Sequence, residues 1–97
     1  MKKKTYISGP LAGVDPSDAM TVFRAAEVRL FCEGHDVVNP VRLCSSGWDW
    51  GRSMRVRLSH LLGCDAVYML KGWKGDRGSR LEHFVALKLG MEITVEK

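Results

Sequence analysis

The sequence predicts one α/β domain in which helices cover both faces of a small parallel sheet. Three segments with helical spacing of apolar residues each end at a glycine, and each is followed by a β-prone run. A helix that joins two strands in this way gives a parallel β-α-β unit with a right-handed crossover. Because 97 residues suffice for only one modest core, we expect a single three-layer sandwich, flavodoxin-like or Rossmann-like, with four parallel strands in the order 2-1-3-4.

The first half of the sequence contains two of the predicted strands and one helix. Residues 5–8 form a short β-prone run that stops at a Gly-Pro pair. Asp15 is suited to the N-cap of the first helix and Pro16 to its first position. The inward stripe of that helix is Ala19, Phe23, Ala26 and Leu30. Gly34 fits the left-handed residue that ends the helix, and residues 36–40 form the second strand.

The second half repeats the pattern after a polar, irregular stretch at residues 42–49. A second helix is predicted from about Gly51 to Gly63, with an apolar face of Met54, Leu58, Leu61 and Leu62. Residues 65–70 are almost continuously apolar, as in a strand covered on both faces. The third helix carries a predicted inner stripe of Leu81, Phe84, Val85 and Leu89. Residues 91–96 supply the last strand.

The composition is that of a globular protein with a small excess of positive charge. Hydrophobic residues make up 45% and charged residues 27%, and the net charge is +4. This charge favours either general solubility or the attraction of an anion such as a nucleotide phosphate, with nucleic acid as a less favoured partner. The sequence contains no signal-peptide pattern and no apolar run of membrane-spanning length, so we expect a soluble protein that does not bind a membrane.

The three cysteines indicate a reducing compartment. Cys32, Cys44 and Cys64 are odd in number and include no C-x-x-C pair, which argues against a disulfide framework and a zinc site. Cys32 and Cys64 stand beside apolar positions, and we expect both thiols to be buried. The predicted location is the cytoplasm.

The predicted topology places any ligand site beyond the carboxyl ends of the strands. Three loops meet there, at residues 8–13, 39–50 and 71–79. They contain most of the glycines and all three tryptophans of the chain. These loops are therefore the candidate site.

The first two loops offer backbone and aromatic contacts, each with an ordinary structural alternative. Ser8, Gly9 and Gly13 could let the backbone approach an anion at a helix start, or could form a plain strand-to-helix turn. Trp48 and Trp50 could stack on a planar base, or could anchor a long loop by packing.

Two interpretations apply to Glu82 in the third loop region. Ser79 and Glu82 fit the S-x-x-E capping box, in which the glutamate hydrogen-bonds back to the start of the helix. A carboxylate near a helix start also feels the positive end of the helix dipole and can act as a nucleophile in glycosyl transfer. Asp76, six residues earlier, could bind or protonate the leaving group. The two roles of Glu82 do not exclude each other.

Three segments resemble the nucleoside 2-deoxyribosyltransferase superfamily, which includes the 2′-deoxynucleoside 5′-phosphate N-hydrolases. They are YISGPLAG, CDAVYML and DRGSRLEHFVALKLGMEI. The resemblance spans almost the whole chain, and we expect one domain of this type over residues 1–97. It is greatest to a small, often phage-borne branch that also has a tryptophan after the third strand, here Trp73. Its most specific element is D-x-G-[ST]-x-x-E, matched by Asp76, Gly78, Ser79 and Glu82.

The resemblance implies cleavage or transfer of the N-glycosidic bond of a (deoxy)nucleoside or nucleoside 5′-monophosphate. Glu82 would attack the anomeric carbon, and Asp76 would contact or protonate the departing base. Ser79 and its neighbouring amides could bind a 5′-phosphate. The sugar or phosphate end would be lined by Tyr6, Ser8 and Gly9. The resemblance implies no metal and no organic cofactor, and it implies a homo-oligomer, either a dimer or a larger assembly.

Two departures from the superfamily pattern favour binding or hydrolysis over transfer. Arg57 occupies the position, eight residues before Asp65, where the superfamily carries an aspartate. The transferases also use a C-terminal extension of a neighbouring subunit, whereas this sequence ends at Lys97. A non-catalytic nucleotide-binding or sensing module is therefore the alternative prediction, and the arginines of the second helix would suit a phosphorylated ligand or a solvated face. The predicted ligand-binding residues are Tyr6, Ser8, Gly9, Gly13, Trp48, Arg57, Trp73, Gly78 and Ser79.

Overall fold

The protein is a four-stranded parallel sheet with three helices, as predicted. The computed structural model describes residues 2–45 and 47–97, so Ser46 of the second loop lies outside the described residues. The elements are β1 (Lys4–Ser8), α1 (Pro16–Cys32), β2 (Asp36–Val38), α2 (Trp50–Leu61), β3 (Ala66–Met69), α3 (Arg77–Lys88) and β4 (Glu92–Val95). The strand order is β2-β1-β3-β4, with every neighbouring pair parallel. The predicted fold class and strand order are confirmed.

The alternation of side chains along β1 separates two cores. Ile7 packs with Phe23, Ala26 and Leu30 of α1 on one face of the sheet. Tyr6 points to the other face and packs with residues that include Leu61, Val67, Met69 and Ala86. The helices α2 and α3 cover this second face. Ser8 has the same parity as Tyr6, so these two hydroxyl groups lie on the α2 and α3 side.

Each helix begins at an aspartate N-cap. Asp15 accepts hydrogen bonds from the amides of Ser17 and Asp18, which confirms the predicted cap of α1. Asp49 caps α2, whose first residue Trp50 lies one position before the predicted start at Gly51. Asp76 caps α3 through the amide of Ser79, and the predicted capping box of Ser79 and Glu82 is therefore wrong. The N-cap is Asp76, three residues before Ser79, so Ser79 and Glu82 both lie within the helix.

The inward face of α3 differs from the predicted apolar stripe. Phe84 is 55% exposed and Leu89 is 60% exposed, so half of that prediction is wrong. The buried residues of α3 are Gly78, Ser79, Glu82 and Ala86. Three of these side chains are small, which lets the helix backbone lie close to the sheet, and the fourth finds polar partners on β1 and α2. The predicted face of α2 is likewise corrected, because Leu62 is exposed while Arg57 is buried.

The cysteines follow the expectation only in part. Cys64 is buried, and burial raises the pKa of its thiol. Cys32 is exposed, so its predicted burial is wrong: it lies at the last position of α1, outside the inward stripe. Across the residues that the structure describes, no helix is both long enough and apolar enough to span a bilayer.

Replacing Gly9 by alanine is expected to destabilise the domain by about 1–3 kcal/mol, because the added methyl group overpacks the core. A Cβ atom at Gly9 would lie 2.7 Å from Cδ1 and 2.8 Å from Cβ of Leu70, which is itself buried. Urea unfolding measures the effect. Gly75→Ala is the matched control, since a Cβ there meets no atom within 4 Å. Equal stability of the two variants would contradict the close approach of Gly9 to Leu70.

Candidate active site

The carboxylate of Glu82 is the centre of a buried polar cluster. Its Oε1 accepts hydrogen bonds from the Ser8 hydroxyl at 2.7 Å and from Nη2 of Arg57 at 2.8 Å. Its Oε2 accepts a hydrogen bond from the Tyr6 hydroxyl. Tyr6 and Ser8 stand two residues apart near the carboxyl end of β1, so both present their hydroxyls to α3. The structure thus brings together four residues that the sequence singled out.

Burial sets the electrostatics of this cluster. Glu82 has no exposed surface, and this desolvation raises its pKa above the ordinary value of 4.5, although Arg57, Tyr6 and Ser8 act in the opposite direction. Burial and the neighbouring carboxylate raise the pKa of Tyr6 far above its ordinary range. Tyr6 is therefore protonated at neutral pH and donates its hydroxyl hydrogen to Glu82.

Arg57 reaches Glu82 from α2 across the first turn of α3. Its side chain is 7% exposed. Burial alone would lower its pKa, but Glu82 and Tyr6 outweigh burial and raise it, so the guanidinium keeps its charge. Gly78 makes the approach possible: a Cβ atom there would lie 3.0 Å from Nη1 of Arg57 and 3.0 Å from Sδ of Met54. The glycine of the D-x-G-S motif thus leaves room for the arginine.

A cavity of about 530 Å³ adjoins the cluster on the side of Arg57. Its size is that of a site for a small organic ligand. The walls come from the loop after β1, the start of α1, the loop after β2 and the start of α2, and its lining residues include Leu11, Val14, Val41, Trp48, Trp50 and Arg57. Arg57 is the residue shared by the cavity and the Glu82 cluster, while Glu82 itself does not line the cavity.

Both tryptophans of the second loop line this cavity, and an arginine packs on each. The guanidinium of Arg52 lies 4.1 Å from the ring centroid of Trp48, and that of Arg77 lies 3.6 Å from the ring centroid of Trp50. These cation–π contacts hold the indoles in place and put two positive charges beside them. The anchoring and the ligand-contact interpretations of the tryptophans are thus compatible.

Asp76 and Ser79 hold the loops together rather than face the cavity. Oδ2 of Asp76 accepts hydrogen bonds from the amide and the hydroxyl of Ser79, both at 2.9 Å. Oδ1 accepts a hydrogen bond from the amide of Leu11 at 3.4 Å. The carboxylate of Asp76 therefore joins the loop after β1 to the start of α3. Its contact with a leaving base, and a phosphate contact of Ser79, stay predictions.

The remaining predicted residues shape the site from outside. Gly9 packs on Leu70, and Gly13 has a φ of +76° between the cavity-lining residues Ala12 and Val14. Trp73 stacks on His83 with ring centroids 4.3 Å apart and does not line the cavity. A direct ligand contact of any of the three residues stays a prediction.

Sequence reasoning missed the pairing of Arg57 with Glu82. The spacing did contain a signal for the pairing. Arg57 stands three residues after Met54 and four before Leu61, both of which are buried. A charged residue within such an inward stripe has to find a buried partner.

The fold and this crevice define a small parallel α/β domain with a cavity at the strand ends. The chain belongs to the family described as domain of unknown function DUF4406, which matches residues 3–95. No curated protein matches the chain significantly. Neither comparison names the nucleoside 2-deoxyribosyltransferase superfamily, so that resemblance stays a prediction. Within the described part of the chain, no group of three or more His, Cys, Asp or Glu residues is placed to hold a metal ion.

Proposed function

We propose that this domain cleaves or transfers the N-glycosidic bond of a (deoxy)nucleoside or nucleoside 5′-monophosphate, with Glu82 as the nucleophile. The observation that carries the proposal is the buried carboxylate of Glu82, oriented by the hydroxyls of Tyr6 and Ser8 at the carboxyl end of β1. A carboxylate with a perturbed pKa at the strand-end crevice of an open α/β sheet is a candidate for catalysis on physical grounds.

Stability alone does not account for this cluster. Burial of an ion pair costs several kcal/mol per charge, and well-packed apolar residues of similar volume are often equally or more stabilising. The chain nevertheless buries Arg57 and Glu82, with two hydroxyls, in a domain whose core is small. A role in binding or chemistry explains why such an arrangement stands beside the cavity at the carboxyl end of β1.

The proposed reaction has two displacements at the anomeric carbon. A carboxylate oxygen of Glu82 forms a bond to C1′ while the bond from C1′ to the base nitrogen breaks, and the base nitrogen keeps the electron pair and takes a proton from solvent. Water then attacks C1′, the bond to Glu82 breaks with return of its electron pair, and a water proton is released; in transfer, a second base replaces water. Among the described residues Oε2 accepts one hydrogen bond and Oε1 accepts two, so Oε2 is the favoured attacking oxygen.

Access to Glu82 requires movement of Arg57. The carboxylate has no exposed surface, and the guanidinium that binds it also lines the cavity. The proposed reaction therefore needs a conformation in which Arg57 moves away from Oε1. This same ion pair favours the second candidate function, a nucleotide-binding or sensing module in which Arg57 keeps Glu82 unreactive.

Base release from a substrate panel tests the proposed reaction. The protein is incubated with the four 2′-deoxynucleosides, the four ribonucleosides and their 5′-monophosphates, and free base is followed by chromatography. We expect release from at least one compound, and the matching control is Glu82→Gln. Saturable binding by calorimetry without release of any base would instead support the binding module.

The kcat/KM for base release is expected to increase with pH, with a midpoint above pH 4.5. Glu82 attacks only when ionised, and the fraction ionised rises with pH. Since burial raises its pKa above the ordinary 4.5, kcat/KM should increase with pH through a midpoint higher than that of an exposed glutamate. Initial rates between pH 4 and pH 8 measure this midpoint. A midpoint at or below 4.5 would contradict its assignment to a desolvated Glu82.

The proposal also includes the ligand, the cellular compartment and the oligomeric state. The ligand is a nucleoside or nucleotide, the compartment is the cytoplasm, and the assembly is a homo-oligomer. Exposed apolar side chains on the outer face of α3 support contact with a second copy, since Phe84 is 55% and Leu87 is 60% exposed.

A further inference from the structure

Exposed cations are concentrated at the starts of α2 and α3. Both helices follow a strand of one parallel sheet, so their first two turns lie at the same, carboxyl end of the domain. In each helix two arginines stand three residues apart, a spacing that puts side chains on one side of a helix. We call the exposed cations of these turns, with the lysine just before α3, the basic strip: Arg52, Arg55, Lys74, Arg77 and Arg80.

Little negative charge offsets the basic strip. Asp76 and Glu82 are buried and bind Ser79 and Arg57 inside the domain. Asp49 is exposed and caps α2. None of the five cations forms an ion pair with another described residue. Five free cations spread over two helices favour a chain of phosphates rather than one phosphate group.

Each tryptophan of the chain lies against one cation of the basic strip. The pairs, with the distance from the cation to the ring centroid, are Trp48 and Arg52 at 4.1 Å, Trp50 and Arg77 at 3.6 Å, and Trp73 and Lys74 at 5.8 Å. All three tryptophans are partly exposed. Unpaired bases stack on aromatic rings and on guanidinium planes, whereas a duplex keeps its bases stacked inside. Alternating rings and cations therefore suit a single strand.

We infer that the basic strip and its three tryptophans bind single-stranded nucleic acid. The cations contact the phosphates, and the rings and guanidinium planes stack on unpaired bases. The strip begins at the cavity of about 530 Å³, since Trp48 and Trp50 also line the cavity wall. Binding of a strand goes beyond the proposed function and is measured without base release.

Fluorescence anisotropy of a labelled oligothymidylate of about 12 nucleotides tests this binding, a length within the roughly 4–16 nucleotides of single-strand sites. Two matched oligomers of the same length serve as controls: an abasic strand, which keeps the phosphates without bases, and a blunt duplex. We expect the oligothymidylate to bind at least about tenfold more tightly than either control, and to quench the tryptophan fluorescence. Equal affinity for the oligothymidylate and either control would overturn the inference.

Charge variants locate the strand on the surface. Arg80→Gln removes one cation of the basic strip, so the slope of log affinity against log salt concentration should become shallower by about 0.7. Arg24→Gln is the matched control, because Arg24 is an exposed arginine of α1 outside the strip, and it should leave the slope unchanged. Circular dichroism verifies that both variants are folded. Equal slopes for the two variants would place the strand elsewhere and overturn the inference.

The two proposals for this domain can fail separately. Base release from the nucleoside panel without binding of the oligothymidylate would remove the nucleic-acid surface and leave the proposed reaction. Binding of the oligothymidylate without base release from any compound would support the surface and count against the reaction.

Discussion

Glu82→Gln is expected to lower kcat/KM for base release by about 10³-fold or more, because the amide lacks the ionised oxygen that would attack C1′. Glutamine has nearly the same shape and can still accept hydrogen bonds from Tyr6 and Ser8, which now hold the carboxylate. The shape of the site should therefore be kept, although the buried charge of Arg57 loses its partner and the variant should be less stable. Initial rates of base release on the best substrate of the panel measure the effect.

Two hydroxyl variants serve as the comparison for Glu82→Gln. Tyr6→Phe and Ser8→Ala each remove one hydrogen bond to the carboxylate, so we expect intermediate losses of about tenfold to 10³-fold. A Glu82→Gln enzyme as active as Ser8→Ala would eliminate Glu82 as the nucleophile. An unchanged affinity of Glu82→Gln for the monophosphate would separate its effect on chemistry from any effect on binding.

Arg57→Met is expected to destabilise the fold by about 3–5 kcal/mol at neutral pH, since it leaves the charge of Glu82 buried without its partner. The two side chains are 7% and 0% exposed, so solvent screens their interaction little. Without Arg57, which lowers the pKa of Glu82, that pKa rises further, and the folded variant binds a proton that the unfolded chain releases above pH 4.5. The unfolding free energy of Arg57→Met should therefore fall as pH rises above 4.5.

A double variant distinguishes the lost ion pair from lost packing. Arg57→Met combined with Glu82→Gln removes the unpaired charge, and we expect it to recover at least about 2 kcal/mol relative to Arg57→Met alone. Urea unfolding at pH 5 and pH 8 measures all four members of the cycle. If the double variant were no more stable than Arg57→Met, the packing of Arg57 against Met54 and Gly78, rather than its charge, would dominate.

The fold could be predicted because the sequence patterns that mark its helices and strands are local. The parallel β-α-β units followed from helices that end at Gly34, Gly63 and Gly90 and from β-prone runs after each of them. The place of the site followed from the topology alone, since ligands bind beyond the carboxyl ends of parallel strands. The cavity between the first two of these loops agrees with that expectation.

The internal geometry of the site was not predictable because its contacts are long-range. Glu82 meets Tyr6 and Ser8 across 76 and 74 positions of the sequence, and Arg57 across 25. The local S-x-x-E spacing favoured a cap, and only tertiary contacts show that α3 turns Glu82 inward. For the same reason the apolar stripe of α3 was misplaced: the inward positions are filled by small residues and one carboxylate, and hydrophobicity does not mark such a face.

The close fit of a glycine against a guanidinium also constrains how this domain can evolve. A methyl group at position 78 would stand 3.0 Å from Arg57 and from Met54, so the long cation at position 57 and the missing side chain at position 78 depend on each other. With arginine at position 57, alanine at position 78 requires the guanidinium to shift by a few tenths of an ångström, and a short residue at position 57 removes that contact, so alanine should be more frequent in relatives with the short residue. Covariation of positions 57 and 78 among relatives would then indicate which of them keep an arginine paired with the glutamate at position 82.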